Sequence, residues 1–264
     1  MTAPVFSIII PTFNCVDTLA TCVQTIASQT YSSFEIIIQD GGSTDGTTEL
    51  ITTLQGNNAS IKAFIEKDQG IYDAMNKAIY RANGTWLYFL GSDDRLFDTT
   101  VLENIHAVTV AAPHVQVVYG NVWSERFKGT YDGAFDFKKI LRKNVSHQAI
   151  FFHKSVFSKT GLFNLKYKAQ ADWDHNLKWI LSPSIEILFV NRTIAHYADG
   201  GFSSQHGDDS FYRDLRLNYL RYGRESLPLG KKIFVYVYEF LKLAKRGDRS
   251  RIGHLWELLT EKKS

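Results

Sequence analysis

Cysteine is nearly missing from this chain: there are two in 264 residues, Cys15 and Cys22. They fall on one face of what reads as a helix, without CxxC or zinc spacing, so a disulfide framework and a structural zinc are excluded and reduced thiols are expected. Long apolar runs are missing as well. No stretch approaches the roughly 20 residues needed to cross a bilayer, and no basic segment precedes the short apolar run near the N-terminus. Neither export nor a membrane span is expected, and the Asn-x-Ser/Thr matches at Asn58, Asn83, Asn144 and Asn191 then carry no consequence. Charge of one sign is scarce, and a net +3 is too small to argue for nucleic acid. No GxGxxG follows the first apolar run, which disfavours a dinucleotide-dependent oxidoreductase. Internal repeats and low-complexity segments are absent.

What is present is an ordinary globular composition, 44% hydrophobic, long enough for one large α/β domain with or without a C-terminal appendage. Phe6 to Ile10 is a β-branched run closed by Pro11, followed by Leu19, Cys22, Val23 and Ile26 at helical spacing after a possible Asp17 cap. Phe34 to Ile38 repeats the pattern, ending in Asp40-Gly41-Gly42-Ser43-Thr44-Asp45, with Asp45 expected to cap the helix carrying Leu50, Ile51 and Leu54. Ile61 to Ile65 is a third strand, followed by Asp68-Gln69-Gly70 and a helix with Ile71, Ala74, Met75, Ala78 and Ile79 inward, stopped at Asn83-Gly84. Such alternation implies right-handed crossovers and a mostly parallel sheet, with the loops after the strands gathered on one edge.

The fourth strand organises the rest. Trp86 to Leu90 is an apolar run that breaks into Gly91-Ser92-Asp93-Asp94, placing two acids at a strand's C-terminal end on the edge shared with Asp40 and Asp68. Adjacent strand-end carboxylates suit Mg²⁺ or Mn²⁺ carrying phosphate oxygens. The alternative is that they cap a helix beginning near Asp98.

Beyond residue 98 the pattern loosens. Leu102, Ile105 and Val108 mark a helix, Val115 to Val122 a strand, and Gly129 to Asp136 a turn-rich connection suited to a mobile loop. Val145 to Phe152 reads as a strand containing His147 and Gln148, Gln170 to Trp179 as a helix opening with Asp172 and Asp174, and Ile185 to Val190 as a strand. His196 to Ser204 is a Gly-rich loop. From Ser210 onward 13 Lys and Arg stand against 6 Asp and Glu, leaving 17 against 21 before it, so the tail is basic and the body mildly acidic. That tail reads as helices interleaving Tyr, Phe and Leu with Arg213, Arg216, Arg221, Arg224, Lys231, Lys232, Lys245 and Arg246. Such helices can lie on anionic lipid or pack on a second subunit, or keep a solvated face.

Four segments in order resemble the inverting family 2 glycosyltransferases of GT-A fold, particularly those building bacterial surface polysaccharides. They are Ser7 to Asn14, Asp40 to Thr47, Asp68 to Lys77 and Phe89 to Asp94; His147-Gln148, Ala171 to Asp174 and Gly200-Gly201 extend the likeness to about residue 204. The resemblance implies a GT-A type α/β fold in which a mostly parallel nucleotide-binding sheet is flanked by helices and followed by a helical basic C-terminal extension. Residues 1–209 would form the glycosyltransferase domain, with a nucleotide-sugar-binding half at 1–97 and an acceptor half at 98–209, and 210–264 the tail. It implies a UDP-, GDP- or dTDP-sugar donor lined by Pro11, Thr12, Phe13 and Asn14. Asp40 would meet the base; Asp68, Asn76 and Lys77 would lie near ribose or phosphates, unless Asn76 and Lys77 are a solvated helix face. Two departures stand out: Gly41 replaces the second acid that often follows the base-binding Asp, and Ser92-Asp93-Asp94 replaces Asp-x-Asp. The Mn²⁺ or Mg²⁺ then rests chiefly on Asp94, with Asp93 toward the donor.

Inversion is a direct displacement, so a carboxylate must take the acceptor hydroxyl's proton. Asp172 is the candidate, with Asp174 the alternative because Ala171 replaces the motif's preceding acid; either could instead cap its helix. His147, Gln148 and His196 could touch acceptor, phosphate or metal, or be structural. Trp173, Tyr197 and Phe202 could stack on sugar or be core. The acceptor would be a glycan or a polyprenyl-diphosphate-linked sugar, and the location cytoplasmic, peripheral on the inner face of the membrane. A sugar nucleotidyltransferase would need a Gly-rich basic loop where Pro11-Thr12-Phe13-Asn14 stands. A non-catalytic sugar-nucleotide-binding or assembly subunit on the same fold is the other reading.

Overall fold

Every residue of β1 (Phe6–Thr12) is buried, which a continuous β-branched run achieves in the interior of a sheet covered on both faces. In the computed structural model, which describes residues 3–125, 128–198 and 207–260, β1 lies between β2 (Phe34–Asp40) and β4 (Trp86–Phe89), parallel to both. Beyond β2, β3 (Ile61–Ile65) continues the parallel set. The crossovers are α1 (Val16–Ala27), α2 (Thr47–Asn57) and α3 (Ile71–Arg81).

The parallel run stops at β4, where β8 (Ile150–His153) pairs antiparallel and pairs again with β6 (Val117–Ser124). Next to β6, β9 (Ile187–Tyr197) runs parallel and carries β5 (Arg95–Leu96) antiparallel on its far side, while β7 (Gly129–Tyr131) pairs with β6. Among the described residues this is one nine-stranded sheet, ordered β3-β2-β1-β4-β8-β6-β9-β5 with β7 off the path. The expected α/β fold of GT-A type is thus present, a mixed and mostly parallel sheet.

Alternate residues of the strands enter two apolar layers. Ile9, Ile37, Leu87 and Phe89 join Met75 and Ala78 of α3 and Leu177 of α6 (Ala171–Ile180). Ile8, Ile10, Ile36, Ile38 and Tyr88 meet Leu19 and Ile26 of α1 and Leu102 and Ile105 of α4 (Val101–Ala111). The short α5 (Ser155–Thr160) adds Val156 and Phe157 to the first layer. Chain continues past it into α7 (Asp209–Tyr222), α8 (Leu229–Arg246) and α9 (Arg249–Thr260). The first of these is built into the core through Phe211, Leu215 and Tyr219, and Asp208 caps it by accepting from the Phe211 N–H at 3.1 Å.

Several local expectations change. Residue 15, not Asp17, is the N-cap of α1; the neighbouring loop supplies its acceptors, Thr47 Oγ1 to the Cys15 N–H and Asp45 Oδ2 to the Val16 N–H. Asp45 also accepts from the Thr47 N–H at 3.0 Å, so it serves the start of α2 from one residue before the cap. The connection from Gly129 to Asp136 opens with β7 rather than being loop throughout. His147–Ala149 is a 3₁₀ turn preceding β8. The strand expected over Ile185 to Val190 runs on to Tyr197, so His196 and Tyr197 are strand residues, while Asp199 to Ser204, with Gly200, Gly201 and Phe202, lie outside the described residues.

Candidate active site

Because β1 to β4 are parallel, the segments that follow them meet on one edge of the sheet. Pro11 to Asn14, Gly41, Asp68 and the turn from Gly91 to Asp93 line a groove of about 650 Å³ there, floored by Ile71 and Ala74 of α3. Phe13 is 64% exposed on its rim, where an aromatic face is free to stack on a ligand. Asn14 holds a left-handed backbone (φ 49°), fixed by Ser43 Oγ accepting from its N–H and by its own Oδ1 accepting from the Thr44 N–H.

Asp40 corrects the reading made from the sequence. It is fully buried, and its oxygens are taken by the Gly42 and Ser43 N–H groups and by the Ser43 and Thr12 hydroxyls. Asp40 therefore shapes the loop behind the groove instead of facing a base. The acid that reaches the groove is Asp68. A Cβ at Gly41 would lie 2.6 Å from Asp68 Oδ2, so the missing side chain at 41 is the space the Asp68 carboxylate occupies. Burial raises the Asp68 carboxyl above its ordinary range.

At the end of β4 the chain folds back so that Asp93 and Asp94 lie over Gly91. A Cβ there would stand 2.6 Å from Asp94 Oδ2 and 2.8 Å from Asp93 Oδ1. Neither acid caps a helix: β5 follows them, and Asp98 accepts the Thr100 N–H ahead of α4. Asp94 is buried and accepts from Gln148 Nε2 at 2.7 Å and the Ala198 N–H at 2.9 Å. Tyr88 holds Gln148 by donating to its carbonyl at 2.8 Å. Burial, and then the charge of Asp93, pushes the Asp94 carboxyl up to about 6, so the turn concentrates negative potential in a small space. Two oxygen ligands over a bare glycine fit a hard divalent cation that leaves its remaining positions to water and phosphate. Among the described residues no three His, Cys, Asp or Glu side chains gather into a metal group, so a closed protein cage of the zinc type is not what they build.

Beside this turn is a tighter cleft of about 60 Å³ lined by Tyr72, Asp93, Asp94, His147, Gln148 and Tyr197. It shares Ile71, Gly91 and Asp93 with the groove. Behind Tyr72 and His147 stands Asp172, 7% exposed in the first turn of α6. Its Oδ1 accepts the Tyr72 hydroxyl at 2.7 Å and its Oδ2 the Asn144 amide at 2.7 Å, with His147 Nδ1 4.0 Å from Oδ2. His147 Nε2 is buried without a hydrogen-bond partner. Asp174 points elsewhere: it is fully buried, accepts from Asn218 and Tyr222 of α7, and faces Lys178 at 3.4 Å. Burial raises its carboxyl. Neither acid caps α6, whose N-cap is Gln170.

The remaining residues named from the sequence divide. Asn76 is buried, donating to the Phe163 carbonyl at 2.9 Å and accepting the Phe163 N–H at 3.0 Å; it is neither a ligand contact nor a solvated face, because both ends of its amide are spent on the backbone of one residue. Lys77 donates to the Lys67 carbonyl at 2.7 Å, in the loop that carries Asp68, and pairs with Asp73 at 3.3 Å; its charge is felt by the Asp68 carboxyl. His196 faces away from the cleft, stacked on Phe97 at 4.9 Å and edge-on to Trp123 at 5.2 Å, since the next residue, Tyr197, is the one that lines it. Trp173 is core, its indole N–H bonded to the Ile140 carbonyl. Two members of the cluster were not singled out from the sequence. Asn144 stood out only as a sequon, and Tyr72, although inside the Asp68 to Lys77 segment, falls between the apolar positions by which the face of α3 was read.

The fold and this rim define a protein with a groove at the C-terminal edge of a parallel half-sheet, the edge where α/β proteins take their ligands, with acids gathered at one end. Residues 7–169 match the family model for Glycosyl transferase family 2, and the chain belongs to that family: it is a glycosyltransferase. It is 38% identical over 222 residues to a "PGL/p-HBAD biosynthesis glycosyltransferase" of Mycobacterium bovis (strain BCG / Pasteur 1173P2), covering 83% of this chain and 86% of the relative. Its fold is similar to Staphylococcus aureus TarS 1–349 in complex with UDP-GlcNAc, with a TM-score of 0.71, 18% identity, and 87% and 70% of the two chains covered. It is also similar to the mannosyltransferase PcManGT of Pyrobaculum calidifontis in complex with GDP-Man and Mn²⁺, with a TM-score of 0.61, 15% identity, and 99% and 89% covered.

Proposed function

We propose that this enzyme is a metal-dependent inverting transferase that moves a sugar from a nucleotide-sugar donor to a hydroxyl of a glycan or lipid-linked acceptor by direct displacement. The observation that carries this reading is that the groove and the cleft share Ile71, Gly91 and Asp93, which sets the acids at the end of β4 beside Tyr72 and His147, the side chains in front of Asp172.

In this reading the nucleotide lies in the groove, with its base between Phe13 and the Asp68 carboxylate, which can accept from a ring N–H. Asp94, with Asp93, would hold Mn²⁺ or Mg²⁺; when bound, the ion supplies positive charge to the leaving diphosphate. Gln148, on Oδ2, and the Ala198 N–H, on Oδ1, orient Asp94 at the wall of the cleft. Asp172 takes the acceptor proton as the oxygen attacks the anomeric carbon from the face opposite the diphosphate. Tyr72 and Asn144 hold it in one orientation, and His147 stands where it can help position the acceptor. No covalent intermediate is required. The PGL/p-HBAD role of the mycobacterial relatives favours a glycolipid acceptor. The free thiols of Cys15 and Cys22 accord with a cytoplasmic setting. A donor for this chain can be drawn from the UDP-, GDP- or dTDP-sugars.

The test is thermal shift with a panel of UDP-, GDP- and dTDP-sugars, with and without Mn²⁺, on wild type and Asp94→Asn. The expected result is a Mn²⁺-dependent rise in melting temperature with one nucleotide class that the variant loses, since a ligand binding only the folded state stabilises it. No shift with any sugar nucleotide would favour the non-catalytic subunit and overturn the proposal.

A further inference from the structure

The helix α8 (Leu229–Arg246) is inverted relative to an ordinary surface helix. The stripe it turns inward contains Val235, Glu239 and Leu243, all buried. Glu239 is 1% exposed and its carboxylate lies 3.7 Å from Arg216 and 3.4 Å from Lys242. The face it turns outward holds the large apolar side chains: Leu229, Ile233, Phe234, Val237 and Leu241 are 46–71% exposed. Their spacing of three, four and eight residues keeps them on one side of the helix. Among the described residues no other helix exposes so continuous an apolar stripe, and an exposed patch of this kind marks a surface with a partner.

Charge identifies the partner. The basic residues of α8 are Lys231, Lys232, Lys242, Lys245 and Arg246, while its one acid is the buried Glu239, so the exposed charge of the helix is entirely positive. The same sign continues sideways. A cavity of about 600 Å³ beside Phe234 and Tyr238 mixes apolar walls with Lys138, Arg142, Arg216 and Lys231. A second copy of this chain would set these cations against one another across a two-fold interface, whereas an anionic bilayer surface complements both the apolar stripe and its basic border. Among the described residues no helix is long and apolar enough to cross a membrane, so the fit is to the interface plane.

We infer that the outer face of α8 docks on an anionic lipid bilayer, with Phe234, Val237 and Leu241 entering the headgroup boundary and Lys231, Lys245 and Arg246 contacting lipid phosphates. Arg142, on the cavity wall, is two residues from Asn144, which holds Asp172. The inference stands on α8 and not on the donor assignment, so either can fail alone.

The test is co-sedimentation of the full chain with phosphatidylcholine vesicles and with vesicles also containing phosphatidylglycerol, at low and high salt. Wild type should bind the anionic vesicles, ignore the neutral ones, and be released by salt. Phe234→Glu/Leu241→Glu and, separately, Lys245→Glu/Arg246→Glu should each lower the binding constant by about tenfold or more, with unchanged melting temperatures because the altered side chains are exposed. Equal binding to neutral vesicles, or none to anionic ones, would overturn the inference. So would a dimer in light scattering that Phe234→Glu/Leu241→Glu dissociates, which would assign the face to a second copy.

Discussion

Replacing Asp172 by Asn removes a proton acceptor while keeping nearly the same shape. The structure says what else it disturbs. The orientation that keeps the Tyr72 hydroxyl on the remaining oxygen turns the new amide N–H₂ toward Asn144 Nδ2, which now donates to Asp172 Oδ2 at 2.7 Å. Asn144 can relieve this by flipping, but its Oδ1 accepts from Asn176 Nδ2 at 2.8 Å, so the mismatch moves one amide deeper. One imperfect buried pair should cost about 1–3 kcal/mol of stability, a fall of a few degrees in Tm. Loss of general-base help should cost far more in rate, about 10²–10⁴-fold in kcat, or about 3–5 kcal/mol of transition-state stabilisation. The assay is single-turnover transfer at saturating donor, with donor affinity measured separately by calorimetry. The expected outcome is collapsed transfer with donor Kd within about threefold of wild type. Transfer above a tenth of the wild-type rate, or a donor affinity that falls in step with the rate, would refute the assignment.

Two further predictions concern stability. His175 is fully buried against Phe157, with Thr160 Oγ1 2.8 Å from its Nε2, and burial, then Lys178, lowers its pKa from 6.5 to about 3. The unfolded chain therefore takes up this proton first as pH falls, and stability present above pH 6.5 is lost progressively down to about 3. Wild type should lose about 2 kcal/mol more than His175→Gln between pH 7 and pH 5 in urea denaturation; parallel pH profiles would show that His175 does not titrate this way. Asn76→Ala strips the Phe163 backbone of both partners, so stability should fall by about 2–5 kcal/mol with sugar-nucleotide affinity unchanged. Lost affinity in a variant as stable as wild type would return Asn76 to the donor site.

The N-terminal half was legible because its information is local. Ile8 to Ile10 and Ile36 to Ile38 announce strands buried on both faces, and parallel connection alone dictates that the ends of β1 to β4 share an edge. The sequence could not say which way a side chain at that edge would turn. Asp40 reads as a ligand contact because an acid ends a strand, yet four donors of its own loop and of β1 consume it. Asn76 and His196 turn away for a related reason: the resemblance puts Asn76 near the donor and the sequence reads His196 into a loop, whereas the amide of Asn76 is spent on the Phe163 backbone and His196 is a strand residue whose neighbour Tyr197 lines the cleft. The Asp172 cluster joins residue 72 of α3, residue 172 of α6, and residues 144 and 147 from the segment ahead of β8, contacts set by tertiary structure and not by any spacing along the chain.

The space over Gly41 has a consequence for how the groove responds to substitution. With Asp68 Oδ2 only 2.6 Å from where a Cβ would stand, a side chain at 41 fits only if the Asp68 carboxylate, the free end of a rotatable side chain, swings out of its present position. Gly41→Asp should therefore displace the Asp68 carboxylate and weaken sugar-nucleotide binding, and Gly41→Asp with Asp68→Gly should recover what the single change lost. The glycine thus sets where the acid of the neighbouring loop points, a task usually given to a side chain.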